Sequence, residues 1–176
     1  AEYVRDGLCF NTWCDNVDKL LSQTHATVSI MTTVNILSLP TFSKFILLIM
    51  EFRKKYNHDF AYNRVPVSIN YLRWPPHLQS ILLDKSDREK YATEIEDISE
   101  QWLKYYSTEK YARLYLEEFD QIQRFCDYLR SSESKTEYRL DFVRYIKDYD
   151  RRRGKDFIQT FPEYANLIEV WDAKTA

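Results

Sequence analysis

Glycine is almost absent from this sequence of 176 residues, in which Gly7 and Gly154 are the only two. A protein of average composition and this length would contain about 12 glycines. The glycine-rich loops that cradle phosphates, G-x-G-x-x-G and G-x-x-x-x-G-K-[ST], do not occur. Functions that depend on such loops are therefore excluded.

Cysteine and long apolar runs are also scarce. The three cysteines, Cys9, Cys14 and Cys126, form an odd set without a secretory signal, so reduced thiols in a cytoplasmic protein are the simplest interpretation. The longest strictly apolar run, Phe45–Met50, is far shorter than the roughly 20 residues that span a bilayer. The net charge of −2 gives no excess of one sign. We therefore expect neither a membrane nor a nucleic acid as partner.

Residues 1–83 mix strand-like and helix-like patterns. Thr27–Asn35 and Val65–Leu72 are rich in β-branched residues and predict two strands. Between them, apolar residues recur at helical spacing from Pro40 to Tyr56. A strand, a helix and a second strand predict a β-α-β unit with parallel strands. Because both faces of Thr27–Asn35 are nearly uncharged, we expect this strand to be buried on both sides.

Residues 84–176 predict helix almost throughout. Apolar residues recur at helical spacing in three long segments and one short one. The predicted helices are Ser86–Tyr106, Thr108–Arg130, Glu137–Arg152 and Pro162–Trp171, in addition to an N-terminal helix that starts near Asn11. Gly154 is placed to end the third of them. The sequence thus predicts an α/β segment, 1–83, followed by a helical extension, 84–176.

Polar side chains follow both predicted strands at their carboxyl ends. Thr33, Asn35 and Ser38 lie at the end of the first strand, and Asn70, Tyr71, Arg73 and Trp74 lie at the end of the second. Parallel α/β folds bind ligands beyond the carboxyl ends of their strands. Small hydrogen-bonding groups beside an aromatic ring suit a nucleoside-like ligand. An equally good interpretation is that Asn35 and Ser38 only cap the turn and the following helix.

Other chemistry has little support. The histidines and cysteines lack the spacing of a metal site, and no pattern indicates an activated nucleophile. The densest basic cluster is Arg151–Lys155, and Asp148, Asp150 and Asp156 flank it. A solvated helix end, stabilised by the helix dipole, explains this cluster better than phosphate binding does. Nucleic-acid binding through it is a weak alternative.

Five segments carry a family resemblance. They are Ala1–Leu8 (A-E-Y-V-R-D-G-L), Trp13–Leu21 (W-C-D-N-V-D-K-L-L), Thr24–Tyr56 with its T-V-S-I-M-T-T-V-N-I-L-S-L, Val67–Leu83 with L-R-W-P-P-H-L, and Tyr149–Glu163 (Y-D-R-R-R-G-K-D-F-I-Q-T-F-P-E). In these segments the sequence resembles radical S-adenosylmethionine proteins, and within that superfamily the twitch-type branch associated with phages and metagenomes. The resemblance extends, in pieces, along nearly the whole chain.

The resemblance implies a fold and a set of site residues. It implies the C-terminal part of a partial (β/α)6 TIM-like barrel, with residues 27–35 as strand five and 65–72 as strand six, followed by a helical tail. In the family these strand ends face S-adenosylmethionine. Thr33, Asn35, Ser38, Tyr71 and Arg73 are the residues that the resemblance places near this cofactor.

The resemblance also implies an activity that this chain would share with a partner. The family's [4Fe-4S] cluster is held by a C-x-x-x-C-x-x-C motif, which is absent here. The cluster would belong to an N-terminal half of the same protein, and the intact oxidoreductase would cleave S-adenosylmethionine reductively and abstract hydrogen from an unknown substrate. A second hypothesis treats the chain as a non-catalytic, mostly helical interaction or accessory module.

Overall fold

The computed structural model describes residues 2–57, 62–107 and 115–173. In these ranges the chain forms α1 Phe10–Gln23, β1 Ile30–Val34, α2 Phe42–Tyr56, β2 Val67–Tyr71, α3 Lys85–Ser107, α4 Leu116–Ser131, α5 Thr136–Arg153, α6 Phe157–Thr160 and α7 Ala165–Ala173. Short 3₁₀ turns precede α2, follow β2 and precede α7. None of the helices in these ranges combines the length and the apolar character needed to cross a bilayer.

The two strands pair in parallel, and α2 makes the connection between them. Ile30 lies opposite Val67, and Val34 lies opposite Tyr71. The predicted β-α-β unit is therefore confirmed. Its hydrogen bonds continue past the strand ends, because the amide of Leu72 donates to the carbonyl of Val34 over 2.8 Å.

The two faces of this sheet differ in burial. On one face Ile30, Val34, Val67 and Ile69 are all buried in the hydrophobic core. On the other face Met31 is 83% exposed, and Thr33 and Asn70 are exposed as well. The expectation that the first strand is buried on both sides is wrong, because the core covers only one face and β1 alternates between core and solvent.

Helix α4 covers the outer edge of β2. The amide of Val67 donates to Glu118 Oε1 over 2.9 Å, and the amide of Ile69 donates to Gln121 Oε1 over 2.6 Å. These amides point away from β1 and would otherwise pair with a further strand. Two side chains of a helix thus satisfy the donors of this edge and end the sheet at β2.

The predicted partial (β/α)6 barrel is therefore wrong for this chain. The described residues form a mostly helical fold with one two-stranded parallel sheet. A barrel needs strands that continue around an axis, whereas α4 takes the position beside β2. The expectation of a helical tail is confirmed for 85–107, 116–131, 136–153 and 165–173. Residues 108–114, predicted as the start of a helix, lie outside the described ranges.

Both predicted segments contribute to one hydrophobic core. Tyr3 and Ile46 from the first segment belong to the same buried cluster as Phe125 and Trp171 from the second. Hydrogen bonds also join them, since the hydroxyl of the buried Tyr164 donates to the carbonyl of Ile36 over 2.7 Å. Buried side chains from both predicted segments therefore pack into the same core.

Three buried arginines connect this core to the ends of its elements. The side chain of Arg64 donates to the carbonyls of Leu21 and Thr24 at the end of α1, over 3.0 and 2.6 Å. Arg88 donates in the same way to the carbonyl of Leu129, over 2.7 Å, near the end of α4. A guanidinium at these carbonyls complements the negative end of the helix dipole.

The third buried arginine, Arg53 on α2, has a carboxylate partner. Its Nε donates to the carbonyl of Val65 over 2.8 Å, and its Nη2 donates to Glu118 Oε1 over 2.8 Å. The guanidinium also lies 4.6 Å from the ring centre of Trp102 and 4.9 Å from that of Tyr115. Burial raises the pKa of Glu118, and the positive charge of Arg53 opposes this rise.

Candidate functional site

The polar residues after β1 form a closed turn. Asn35 Oδ1 accepts hydrogen bonds from the amides of Leu37 and Ser38, over 2.9 and 3.2 Å. Ser38 Oγ accepts from the amide of Asn35 over 2.9 Å. This geometry is an Asx turn that leads into α2. The side-chain oxygens of Asn35 and Ser38 therefore bind the backbone around them.

Tyr71, the last residue of β2, stacks on Tyr128 of α4, and the guanidinium of Arg73 lies against the Tyr71 ring. The rings of Tyr71 and Tyr128 lie 4.1 Å apart between centres at an angle of 20°. The guanidinium of Arg73 lies 5.2 Å from the centre of the Tyr71 ring, and its Nη2 donates to the Tyr71 hydroxyl over 3.2 Å. Burial raises the pKa of Tyr128 to about 12. The stack holds Arg73 near a fixed position at the end of the strand.

A polar cavity opens beside this stack. Its volume is about 260 Å³, and it lies between the solvent-exposed side of β2 and helix α4. The residues that line it are Ser68, Ile69, Asn70, Tyr71, Arg73, Gln121 and Arg124. Most of these side chains donate hydrogen bonds, and two of them are cationic.

The electrostatics of the cavity favour negative charge. Its lining contains Arg73 and Arg124 and no carboxylate. Within the part of the chain that the structure describes, neither arginine forms an ion pair. Most other cations do form one, as Arg130 does with Glu96 and Glu89. Two cations without a counter-ion beside one small cavity constitute an anion-binding arrangement.

The orientation of Gln121 adds a donor to this arrangement. Its Oε1 accepts the hydrogen bond from the amide of Ile69, which fixes the side-chain amide with its NH₂ group on the opposite side. An amide NH₂ donates and does not accept. Gln121 therefore links the edge of the sheet to the cavity.

The structure separates the five residues that the resemblance places near a cofactor. Tyr71 and Arg73 line the cavity. Asn35 and Ser38 are engaged in the turn. Thr33 is exposed on the solvent face of β1, where the register places it opposite Asn70. The sequence singled out Tyr71 and Arg73 but not Gln121 or Arg124, because the latter two belong to a helix far along the chain.

The thiols do not form a ligand set for an iron–sulfur cluster. Cys9 is exposed before α1, Cys14 is half-buried on α1, and Cys126 is fully buried on α4. Burial raises the pKa of Cys126 to about 12, and its thiol faces the carbonyl of Ala92 at 3.7 Å. Cluster ligation needs several thiolates around one centre. Across 2–57, 62–107 and 115–173, no three His, Cys, Asp or Glu side chains are grouped to hold a metal ion.

The basic cluster at the end of α5 is paired with nearby carboxylates. Arg151 and Arg152 contact Asp148 at 2.6 and 2.7 Å, and Arg153 and Lys155 contact Asp6, both at 2.9 Å. Gly154 ends the helix with a φ of 59° in the left-handed region, as its position in the sequence predicts. The cluster therefore lies at the solvent-exposed end of α5, where the sequence places it.

Comparisons with known proteins do not assign this chain to a family. No family model matches it, no curated protein matches it, and no solved structure matches it. Membership of the radical S-adenosylmethionine superfamily, the cofactors of that superfamily and an N-terminal partner half stay predictions from sequence resemblance.

Proposed function

We propose that this chain binds a small anionic ligand, with a phosphate or carboxylate group, in the polar cavity beside β2. One observation carries the proposal: Arg73 and Arg124 line the same cavity, and neither has a carboxylate partner among the described residues. This function is closest to the accessory-module hypothesis, because it requires binding and no catalytic group.

The chemistry of the two arginines supports this class of ligand. A guanidinium offers a planar fork of donors that matches the oxygens of phosphate or carboxylate. Stacking on Tyr71 limits the rotamers available to Arg73, so less side-chain entropy is lost when a ligand binds. The NH₂ group of Gln121 and the hydroxyl of Ser68 supply further donors in the same lining.

The size of the cavity supports a small ligand. Pockets for drug-sized molecules usually occupy about 300–1,000 Å³, and this cavity has about 260 Å³. It suits a phosphate ion or the charged end of a phosphorylated or carboxylated metabolite. We expect a modest affinity, with a Kd on the order of 1 mM for inorganic phosphate.

Calorimetric titration with sodium phosphate at low ionic strength tests the proposal. Each of the variants Arg73→Gln and Arg124→Gln should weaken binding about tenfold, because each removes one charge-assisted contact worth about 1.4 kcal/mol. Added sodium chloride should weaken wild-type binding through screening.

Arg144→Gln is the matched control. Arg144 is an exposed arginine on α5, outside the cavity, and it contacts Asp141 at 3.4 Å. Its substitution should leave the phosphate affinity unchanged. Phosphate binding that is equally strong in the Arg73→Gln, Arg124→Gln and Arg144→Gln variants would contradict the proposal.

S-Adenosylmethionine is the informative second titrant. It carries a sulfonium and an ammonium against one carboxylate, so its net charge is positive and the two arginines should repel it. We therefore expect inorganic phosphate to bind more tightly than S-adenosylmethionine. The reverse order would support the family resemblance and contradict an anion site.

A further inference from the structure

The outer edge of β1 carries backbone groups without partners in the described parts of the chain. The amide of Ile30 donates towards β2, to the carbonyl of Pro66 over 2.8 Å. In a parallel ladder the amides of alternate residues point in opposite directions. The amides and carbonyls of Ser29, Met31 and Thr33 therefore point away from β2.

Nothing in the sequence of this strand protects the edge. Residues 27–35 contain no charged residue and no proline, the two devices that most often prevent strand pairing. Met31, the second residue of β1, is 83% exposed. Glu118 and Gln121 accept hydrogen bonds from the amides at the other edge of the sheet, on β2. Of the two edges, the β2 edge is therefore the one protected against pairing with a further strand.

The open edge is complementary to itself. If two copies of β1 pair antiparallel about a two-fold axis at Met31, Met31 lies opposite its own symmetry mate, and Ser29 lies opposite Thr33. The outward-pointing amides and carbonyls of these residues then satisfy each other in hydrogen-bonded pairs. The axis is perpendicular to the sheet, so the buried face of each copy stays on the same side.

We propose that a second copy of this chain binds the edge of β1 and forms a four-stranded sheet in the order β2-β1-β1-β2. The neutral edge favours a second copy, because the pairing brings no like charges together. An isologous contact of this kind closes at the dimer and does not propagate. A five-residue edge buries less than the roughly 1,200 Å² of a standard interface, so the dimer is weak.

Sedimentation velocity over a range of concentrations tests this proposal. Wild-type protein should shift from 21.3 kDa towards twice that mass between about 10 μM and about 1 mM, where weak complexes dissociate. Met31→Lys and Met31→Glu should each weaken dimerisation about tenfold, because each places like charges opposite each other at the axis. Both side chains point to solvent, so circular dichroism should show an unchanged fold.

Mixing the two variants gives the decisive result. A Met31→Lys chain and a Met31→Glu chain place opposite charges at the axis, so an equimolar mixture should dimerise again. The control is Val170→Lys, which introduces a charge at a residue of α7 that is 55% exposed and should leave the dimer intact. Wild-type protein that stays monomeric at about 1 mM, or dimerisation that both Met31 variants retain, would overturn the proposal.

Discussion

Buried arginines donate hydrogen bonds to backbone carbonyls near the ends of several elements of this fold. Arg64 and Arg88 donate to carbonyls at the ends of α1 and α4, and Arg53 donates to the carbonyl that precedes β2. Such carbonyls have no partner within their own helix or strand. A single guanidinium with five donors can satisfy several of them at once. These buried charges thus satisfy carbonyls that the ends of helices and strands leave without a backbone partner.

Substitution of Arg53 by Met should be strongly destabilising. It leaves the carboxylate of Glu118 buried without a counter-charge, and it removes the donors to the carbonyl of Val65. We expect a loss of about 3–5 kcal/mol in the free energy of unfolding. Urea denaturation measures this loss, with Lys54→Met, a substitution at an exposed position of the same helix, as the control.

The double variant Arg53→Met/Glu118→Gln separates charge from packing. Replacing the carboxylate of Glu118 with an amide removes the buried negative charge, and the amide oxygen can still accept from the amide of Val67. We expect the double variant to be more stable than Arg53→Met alone. Equal or lower stability of the double variant would show that the uncompensated charge is not the cause of the loss.

The ion pair between Glu96 and Arg130 should make stability depend on pH. Arg130 Nη2 donates to Glu96 Oε2 over 2.6 Å, and these hydrogen bonds hold the pKa of Glu96 below its ordinary value of 4.5. A carboxyl group whose pKa is lower in the folded state stabilises the fold at pH values above its unfolded-state pKa. This stabilisation is lost as the pH falls through the folded-state pKa. At neutral pH the free energy of unfolding of the wild-type protein should be about 1 kcal/mol larger than that of Glu96→Gln.

Urea denaturation at a series of pH values from 7 down to 3 gives the comparison between wild type and Glu96→Gln. The difference in free energy should shrink from about pH 4.5 downwards, because Glu96 becomes protonated in both states. A difference that stays constant over this range would exclude the ion pair as its source.

The sequence predicts which segments form helices and strands better than it predicts how these elements pack against each other. The helix α5 and its end at Gly154 follow from apolar spacing and one glycine. The parallel pairing of β1 and β2 follows from the helix between them. The arrangement of α4 against β2 has no local signal, since Glu118 and Gln121 lie 51 and 52 residues beyond the amides they accept from.

The barrel was implied by the family resemblance, and the same limit kept the strand pattern from excluding it. Apolar and β-branched residues in Thr27–Asn35 are compatible with burial on one face or on both, because Met31 and Thr33 suit either environment. Whether another strand or a helix lies beside β2 depends on tertiary packing. The pattern of one strand contains no information about its neighbour.

The contact between α4 and β2 predicts the effect of Gln121→Met. The amide of Ile69 would lose its acceptor in a half-buried position, so we expect a loss of about 1–3 kcal/mol in the free energy of unfolding. Hydrogen exchange of the Ile69 amide should also become faster. Gln123→Met on the same helix is the control, and an equal effect of both variants would show that the hydrogen bond does not stabilise the sheet.

At the scale of the whole molecule, the two edges of one small sheet have different roles. The edge of β2 is covered by α4, and the polar cavity lies beside this contact. The edge of β1 has no strand or side chain paired to it among the described residues, and we propose that it binds a second copy. The hydrophobic core on the buried face of the sheet includes residues from both ends of the described chain, from Tyr3 to Trp171. Ligand binding and self-association are thus proposed for opposite sides of the same unit.

The candidate site was only partly predictable from sequence. Tyr71 and Arg73 follow a predicted strand, where ligands of parallel sheets bind, and both line the cavity. Arg124 and Gln121 come from α4 and join them through packing. The side chains of Asn35 and Ser38 are used by the local turn, an alternative that local residue chemistry could not distinguish from ligand binding.

The most direct test of anion binding in the cavity is an NMR titration of the protein with inorganic phosphate, monitored at side-chain resonances. Binding in the cavity should change the chemical shifts of Nε–H of Arg73 and Arg124 and of the side-chain NH₂ of Gln121, and should leave the arginines of 151–153 unaffected. Changes confined to residues 151–153, or no saturable change at Arg73 and Arg124, would contradict the claim that this cavity binds anions.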